Sequence, residues 1–593
     1  MSTETYADQF CAMLKDAGYT HCFFVAGGNI MHILNSARKT FECVPVIHEV
    51  AAAIATEYFN ETSDGTKAFA LVTAGPGLTN AITGVAGAWL ESRELLIIGG
   101  QVKSSDLASS KLRQRGIQEI DGVELASSIT KESFRIATPE NLQEVSQKIE
   151  NGSKGKPGPV FVEFCLDAQG APGIDSRTIR SESTMDLKLP GNSEIEESME
   201  LIFGSQRPVF LFGGGVSRKA IDRLLAPLSK IGIPIMTTWN ALDRIDASDP
   251  LFWGRPNTWG QRGANVLIQQ SDLIIAVGTR LGIQQSGFNW QEFAPVAKII
   301  HVDIDINELE KGHPKTELSI LADANSYLEG LVTVLGESKP LNLEEWRNYG
   351  RNVLVKLPNN EDANSRSKNH INPFDFVELL SKNLSTEDVV IPCSSGGAFT
   401  TMMQAFRQKK GQKVASNKAL ASMGYGLSGA IGASYANPNK KVILVEGDGG
   451  FAQNIQELGT VAIGKLPLKI FIYSNGGYAS IRMTQANYFQ GAYVGCDTST
   501  GLGLPNLEKL FDVYGISVDV LNPENPFNEE IVAKLNDVSP HAFIVPIDPE
   551  QTYFPKITSK VLPNGQMASN PLHLMTPELP DNVKSEVYKY LPN

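Results

Sequence analysis

The stretch VEGDGGFAQNIQELGTVAIGKLPLKIFIYSNGG, Val445 to Gly477, carries an apolar run into a glycine-rich turn and ends a second apolar run at Asn475. A buried strand that turns through glycines into a helix lets backbone N–H groups approach a phosphate closely. Asp448, inside that turn, would repel the phosphate unless a cation lay between them. Mg2+ is the hard ion that bridges carboxylate to diphosphate through oxygen ligands. Asn475 follows 27 residues later, about the length of a strand–helix–strand crossover. Right-handed parallel crossover returns both strand ends to one sheet edge. The spacing therefore predicts Asp448, Asn475 and the carbonyl of Gly477 as ligands of a single metal ion. GDGG alone is no more than a tight strand–helix turn; the acid followed by Asn-Gly-Gly at this distance is far more specific.

Outward from this stretch, short β-branched runs alternate with amphipathic helical spans along most of the chain: CFFVAG, AFALVTAG, ELLIIGG, PVFVEF, PVFLFGGG, LIIAVGT, KIIHVDID and DVVIPCSS. That alternation predicts an α/β protein with doubly wound parallel sheets. Many runs end in Gly, Ser or Asp, where such sheets place ligand contacts. Residues 167–192 and 336–372 are polar, charged or Pro/Gly-punctuated and read as linkers. They divide the chain into three domains, 1–166, 193–335 and 373–545, with an irregular tail over 546–593 without evident periodicity that either folds back over a site or forms a surface arm.

At 593 residues the chain is too long for one core. A net charge of −13 argues against broad contact with nucleic acid or anionic membrane. No apolar run approaches the roughly 20 residues of a membrane span. The first residues lack the basic head and apolar middle of a secretion signal. The cysteines at 11, 22, 43, 165, 393 and 496 form no close pair in sequence, which points to buried thiols in a reducing cytoplasm.

With the Asp448–Asn475 pattern in place, the chain resembles the thiamine diphosphate (ThDP) enzymes, and within them the acetohydroxyacid (acetolactate) synthase group. The first domain adds VPVIHEVAAAIATEYF, which places Glu49 at a strand end before a helix of small residues. By itself Glu49 reads as a helix N-terminal acid, favourable with the dipole. Beside the metal motif, the resemblance implies a carboxylate that hydrogen-bonds N1′ of the cofactor's aminopyrimidine and shares its proton. VAGGNIMHIL (25–34) and the segment from Thr73 to Val102 follow the family pattern, with Gly28, Pro76, Asn80 and Gln101 at matched positions. Gln118 resembles a glutamine that approaches the reactive carbon. LASMGYGLSGAIGA (420–433) resembles the segment that bends the cofactor, with Met423 between its rings and the carbonyl of Ala421 at the 4′-amino group. Gly396, Gly447, Gly449, Gly450, Tyr478 and Ile481 complete the implied cofactor contacts. The family shares each site between one subunit's first domain and its partner's third, so the resemblance implies a homodimer or a dimer of dimers.

The middle segments RPVFLFGGG, VGTRLGIQQSGF and HVDIDINELEKGHP resemble those that hold FAD in these synthases. Gly214, Arg280, Asp305 and Asp323 fall at flavin-facing positions; relatives without flavin keep similar turns, so FAD stays an open alternative. Three departures bear on the acceptor. Gln284 stands where the synthases have an arginine for the second keto acid's carboxylate, and an amide cannot supply that charged fork. Thr484 lies near the place of an acceptor-selecting tryptophan. Gly397 and Ala398 replace a Gln-His pair at the diphosphate. The implied function is decarboxylation of a 2-oxo acid such as pyruvate and transfer of the remaining unit to a carbonyl acceptor, charged or uncharged, a keto sugar among them. A simple decarboxylase or C–C lyase is the alternative. A non-catalytic relative would be expected to lack Glu49, Asp448 or Asn475, and all three are present.

Overall fold

The computed structural model describes residues 4–109, 111–174 and 188–592. Three parallel sheets carry the architecture. The first contains β1 (Tyr19–Phe24), β2 (Glu42–Pro45), β3 (Lys67–Val72), β4 (Leu95–Gln101), β5 (Glu132–Ile136) and β6 (Pro159–Cys165), in the order β2-β1-β3-β4-β6-β5. The second contains β7 (Pro208–Phe212), β8 (Ile235–Thr237), β9 (Leu273–Val277), β10 (Lys298–Asp303) and β11 (Leu318–Leu321), in the order β11-β10-β9-β7-β8. The third contains β12 (Val389–Ile391), β13 (Lys413–Val414), β14 (Val442–Gly447), β15 (Leu468–Ser474), β16 (Ser517–Val520) and β17 (His541–Pro546), in the order β13-β12-β14-β15-β17-β16.

Renumbered within each sheet, all three share the order 2-1-3-4. In open α/β sheets of this kind the order reverses between strands 1 and 3, and the crevice beyond their carboxyl ends is where ligands bind. Each glycine turn singled out from the sequence follows such a strand: Gly28 after β1, Pro76 after β3, Gly214 after β7, Arg280 after β9, Gly396 after β12 and Gly447–Gly450 at the end of β14. The inner strands β3, β4, β6, β7, β9, β12, β14 and β15 are almost wholly buried, mostly apolar runs, as expected of sheets covered on both faces, while the edge strands β2, β5, β11 and β16 are partly exposed.

The first and third sheets belong to one compact unit, with 387–399 and 413–549 contributing its later part. Its centre is a contact between two helices, Glu49–Thr62 and Tyr425–Ala436, both buried on nearly all sides. Small residues make this approach feasible. A Cβ on Gly432 would lie 1.9 Å from the carbonyl oxygen of Ala55, so Gly432→Ala would force two backbones apart. The alanine run AAAIA of the first helix thus serves close helix packing, in a core that also takes in Tyr58, Tyr425 and Leu444.

The second unit holds the middle sheet, residues 400–412 and the tail from Glu550. Here the structure corrects two readings. Within 336–372, read as a linker, Glu344–Lys356 is a helix; its Trp346 is buried and donates from Nε1 to the carbonyl of Pro208. The charge that hid this helix lies on its outer face, while Trp346, Gly350 and Val353 face inward. The tail, read as lacking periodicity, forms an antiparallel pair, β18 (Ser559–Val561) and β19 (Met567–Ser569), and the helix Asp581–Val587. Ile557, Leu572, Met575 and Val587 are buried with Trp253 and Val266 of the middle domain. Among the described residues no helix is long and apolar enough to cross a membrane.

Candidate active site

At the end of β14 the chain turns through Gly447 into the short helix Asp448–Phe451. Asp448 is buried, and its Oδ2 accepts from the backbone N–H of Asn475 at 3.0 Å and of Gly476 at 2.8 Å. Its Oδ1 accepts from Gly449 N at 2.7 Å. β14 and β15 are adjacent and in register, Gly447 opposite Tyr473, so the two strand tips meet as the spacing implied. A Cβ on Gly449 would lie 2.5 Å from the Tyr478 ring, which holds the turn to glycine.

One atom in this turn is conspicuously unmatched: the side-chain oxygen Oδ1 of Asn475 is buried and has no hydrogen-bond partner. An unmatched buried carbonyl oxygen costs about 1–3 kcal/mol. Burial raises the Asp448 carboxyl above its usual range, although the N–H groups of Gly476 and Asn475 oppose the shift. Both features suit a cation, which would give Asn475 Oδ1 a partner and restore the charged carboxylate. Glu446, two residues earlier, is pushed up to about 8 by burial, which favours its neutral form over a second charge beside Asp448. The donors here are oxygens of one acid, one amide and backbone, a set for a hard ion. Among the described residues no group of three or more His, Cys, Asp or Glu could hold a metal of another kind.

Glu49 opens the helix after β2 and is nearly buried; its Oε2 accepts from Asn80 Nδ2 at 2.9 Å. The turn before it is fixed from the third domain. Glu457, fully buried, accepts from the N–H groups of Ile47 at 3.1 Å and His48 at 3.0 Å. Pro76 is the first residue of the helix Pro76–Glu91 that carries Asn80. At the tip of β3, Thr73 is buried and its hydroxyl has no partner. Gln101 is fully engaged, donating to Ile120 O and Glu163 Oε1 and accepting from Val102 N. Gln118 is exposed, with a left-handed φ of 60°. Its loop is held by the next residue, Glu119, whose carboxylate accepts from the N–H groups of Ala108, Arg115 and Gly116. Those bonds keep Glu119 below the usual carboxylate range despite its burial.

Ala421 has φ 56°, and Met423 is 38% exposed. Ile481 is 47% exposed, and Tyr478 stands just before the helix Ala479–Phe489 without a side-chain capping bond.

Three family models match in sequence: the thiamine pyrophosphate enzyme N-terminal TPP binding domain over 4–125, the central domain over 195–331 and the C-terminal TPP binding domain over 395–545. The acetolactate synthase large subunit of Corynebacterium glutamicum is 31% identical over 504 residues, 82% of this chain and 78% of that protein. Acetolactate synthase isozyme 2 large subunit of Escherichia coli K12 is 29% identical over 556 residues, 92% of this chain and 96% of its own. The probable acetolactate synthase large subunit of Methanocaldococcus jannaschii is 30% identical, covering 85% of both chains. The chain belongs to the thiamine pyrophosphate enzymes, as an acetolactate synthase-like member.

For a ThDP enzyme of this group, the middle-domain residues look different from those of the other turns. The Arg280 carbonyl accepts from Lys311 Nζ. Asp305 caps the helix Ile306–Glu310 and Asp323 caps Ala324–Glu337, each through its side chain. Gln284 is half-buried and its carbonyl accepts from Thr258 N at 3.0 Å, while Thr258 O accepts from Ile557 of the tail. The tail therefore backs the segment that carries Gln284. Glu457 and Thr73 were not singled out from the sequence. Glu457 lies nine residues after Asp448 in the opening stretch, but nothing in QEL distinguishes a buried anchor from a solvated helix acid.

Proposed function

We propose that the protein is a Mg2+-dependent carboligase that decarboxylates a 2-oxo acid, pyruvate in the simplest case, and transfers the remaining two-carbon unit to an uncharged carbonyl acceptor such as a keto sugar. The buried, unpartnered Oδ1 of Asn475 beside Asp448 carries this reading, because it is an oxygen ligand waiting for a hard cation. Asp448, Asn475 and the carbonyl of Gly477 would hold Mg2+, and Mg2+ the diphosphate. Bound ThDP supplies an electron sink for the donor's carbonyl carbon as CO2 leaves.

The remaining work falls to side chains. Glu49 holds or releases a proton at its carboxyl against the aminopyrimidine, and Asn80 fixes Oε2 so that Oε1 is the oxygen free to exchange it. Glu457 sets the angle at which the Glu49 helix starts. In the overall reaction the donor's C1–C2 bond breaks, a C–C bond forms to the acceptor's carbonyl carbon, and the acceptor oxygen takes up a proton. Gln284, an amide where a charged fork would greet a second keto acid, favours an acceptor without a carboxylate.

Two copies of the chain form the active unit in this reading. Ile47 and Met31 of the first domain are 53% and 54% exposed, and Ile481 and Phe489 of the third 47% and 63%, apolar surface of the kind a second copy covers. Six unpaired thiols suit a reducing cytoplasm. The overall reaction is redox-neutral and needs no electron transfer from a flavin; Asp305 and Asp323, at the flavin-facing positions, serve as helix caps.

Incubation of the protein with ThDP, Mg2+ and pyruvate, with and without keto-sugar, aldehyde or 2-oxo acid acceptors, tests the reading by mass spectrometry. The expected product has the mass of an uncharged acceptor plus acetaldehyde. Acetolactate as the preferred product would refute the acceptor assignment, and free acetaldehyde alone would favour the lyase alternative.

A further inference from the structure

The segment Ser416–Tyr425 carries both cofactor-bending residues, Ala421 and Met423, and its anchorage is unusual. It is held by a buried cluster of charged side chains from the first domain. Glu57, on the helix that begins with Glu49, is fully buried. Its Oε1 accepts from Asn417 Nδ2 at 3.0 Å and from Arg93 Nη1 at 2.7 Å; its Oε2 accepts from Tyr425 OH at 2.9 Å. Arg93 in turn donates from Nη2 to the carbonyl of Ser416 at 2.8 Å and lies over the Tyr58 ring. Glu91 accepts from the N–H of Ala419 at 2.7 Å. Asn417, fixed by Glu57, accepts from Leu420 N at 3.3 Å.

The segment is thus pinned at Ser416, Asn417, Ala419 and Tyr425, on either side of Ala421 and Met423. Within the third domain, Ser394 holds the carbonyl of Ser422, and Asn454 that of Gly424 at 2.7 Å. Ala421 lies in the left-handed region, where a non-glycine residue persists only if its surroundings hold it there. A buried ion pair is weak grounds for stability, because desolvation offsets most of its attraction. Four charged side chains around one loop, Glu57, Glu61, Glu91 and Arg93, therefore ask for a role beyond holding the fold together.

We propose that Glu57 is a positioning residue for catalysis: through Asn417 and Tyr425 it sets the conformation of Ala421–Met423 against which the aminopyrimidine is bent. The same helix presents Glu49 at its first turn and fixes the bending segment two turns later, so in the two-copy reading it ties the acid of one site to the wedge of the other. This rests on the ThDP reading given above, and the cofactor's two ends provide a way to separate the two claims. The Asp448–Asn475 turn faces the diphosphate, whereas the Ala421–Met423 segment faces only the rings.

Isothermal titration of the full-length apoprotein with ThDP, and separately with inorganic pyrophosphate, both with Mg2+, makes the test. Glu57→Gln keeps the side chain's shape but loses the charge that Arg93, Asn417 and Tyr425 address. The expected result is a loss of about 10- to 100-fold in ThDP affinity with pyrophosphate affinity unchanged, since bonds to a charged group are the strong ones. An unchanged ThDP affinity, or equal losses for both ligands, overturns the proposal. If Glu57→Gln does not fold, Tyr425→Phe, which removes one bond, decides by the same split between ligands. Wild-type protein that takes pyrophosphate but not ThDP would sink the functional reading itself, and with it this one; a missing split in the variants alone sinks only this one.

Discussion

Two glycine turns in this protein follow the same strand-to-helix plan and differ in where their polar atoms go. In the third sheet, the turn at Gly447–Gly450 leaves Asn475 Oδ1 buried and unmatched. The tip of β3 in the first sheet does the same with the hydroxyl of Thr73. In the middle sheet, Asn325 Oδ1 accepts from Ser217 N at 2.9 Å, just after the Gly213–Gly215 turn, and Asp323 on the same helix caps its N-terminus. Asp305 caps another helix, and Asp303 accepts from Asp305 N. Gly213 itself serves packing, for a Cβ there would lie 2.1 Å from Gly278 O. The middle domain has exceptions, the buried hydroxyls of Thr237 at the tip of β8 and of Thr258, which lack partners. The lesson is that a glycine turn after a strand announces close approach, and only the hydrogen-bond inventory tells whether the chain's own backbone or a ligand makes that approach.

The contrast breaks most visibly at the first and third sheets. Glu49→Gln is expected to lower kcat by about 10²–10⁴-fold, the usual range for a general acid–base group, while ThDP stays bound. Steady-state kinetics paired with cofactor stoichiometry after desalting checks it; near-normal turnover would remove Glu49 from the proton transfer. Next in size, Asp448→Asn should weaken Mg2+-dependent ThDP retention by about two to four powers of ten, because removing one partner of a buried charge pair costs about 3–5 kcal/mol. Full ThDP occupancy in that variant, measured without added Mg2+, would mean that the unmatched Asn475 oxygen is not a cation ligand.

What could be read in the sequence followed from local chemistry. Asp448 and Asn475 were legible because one crossover length fixes their separation, and the three-sheet architecture because buried parallel strands read as unbroken apolar runs. Glu57 and Glu457 were not legible, since each is buried by partners hundreds of residues away: Glu57 by Asn417 and Tyr425, Glu457 by Ile47 and His48. The helix Glu344–Lys356 escaped notice because its exposed face is dominated by charge and its inward face by one tryptophan, a glycine and a valine. In the tail, packing rather than pattern confers order, with single apolar residues such as Leu572 and Met575 reaching the middle domain's core.

Smaller effects sharpen the middle-sheet side of the comparison. Gln284→Arg is expected to shift acceptor preference toward 2-oxo acids by about 10-fold or more, since a guanidinium offers the charge-assisted fork that the amide lacks. Competition between pyruvate and an uncharged acceptor measures that ratio, and an unaltered ratio would take Gln284 out of the acceptor site.

The smallest change is expected from Asp323→Ala. Its carboxylate accepts from Ser326 N at 2.8 Å at the start of a helix running to Glu337, so its loss should cost about 1 kcal/mol of stability, the typical value of a cap. Because the side chain is used by its own helix, ThDP retention and the visible absorbance of the purified protein should not change. A flavin-facing carboxylate would behave otherwise, leaving stability without ligand nearly untouched and altering flavin content. A drop in denaturation midpoint with an unchanged spectrum therefore keeps the middle turn on the self-satisfied side. Loss of yellow colour would move Asp323 to the side of Asn475, and the two kinds of turn would no longer be distinguishable by how their carboxylates are used.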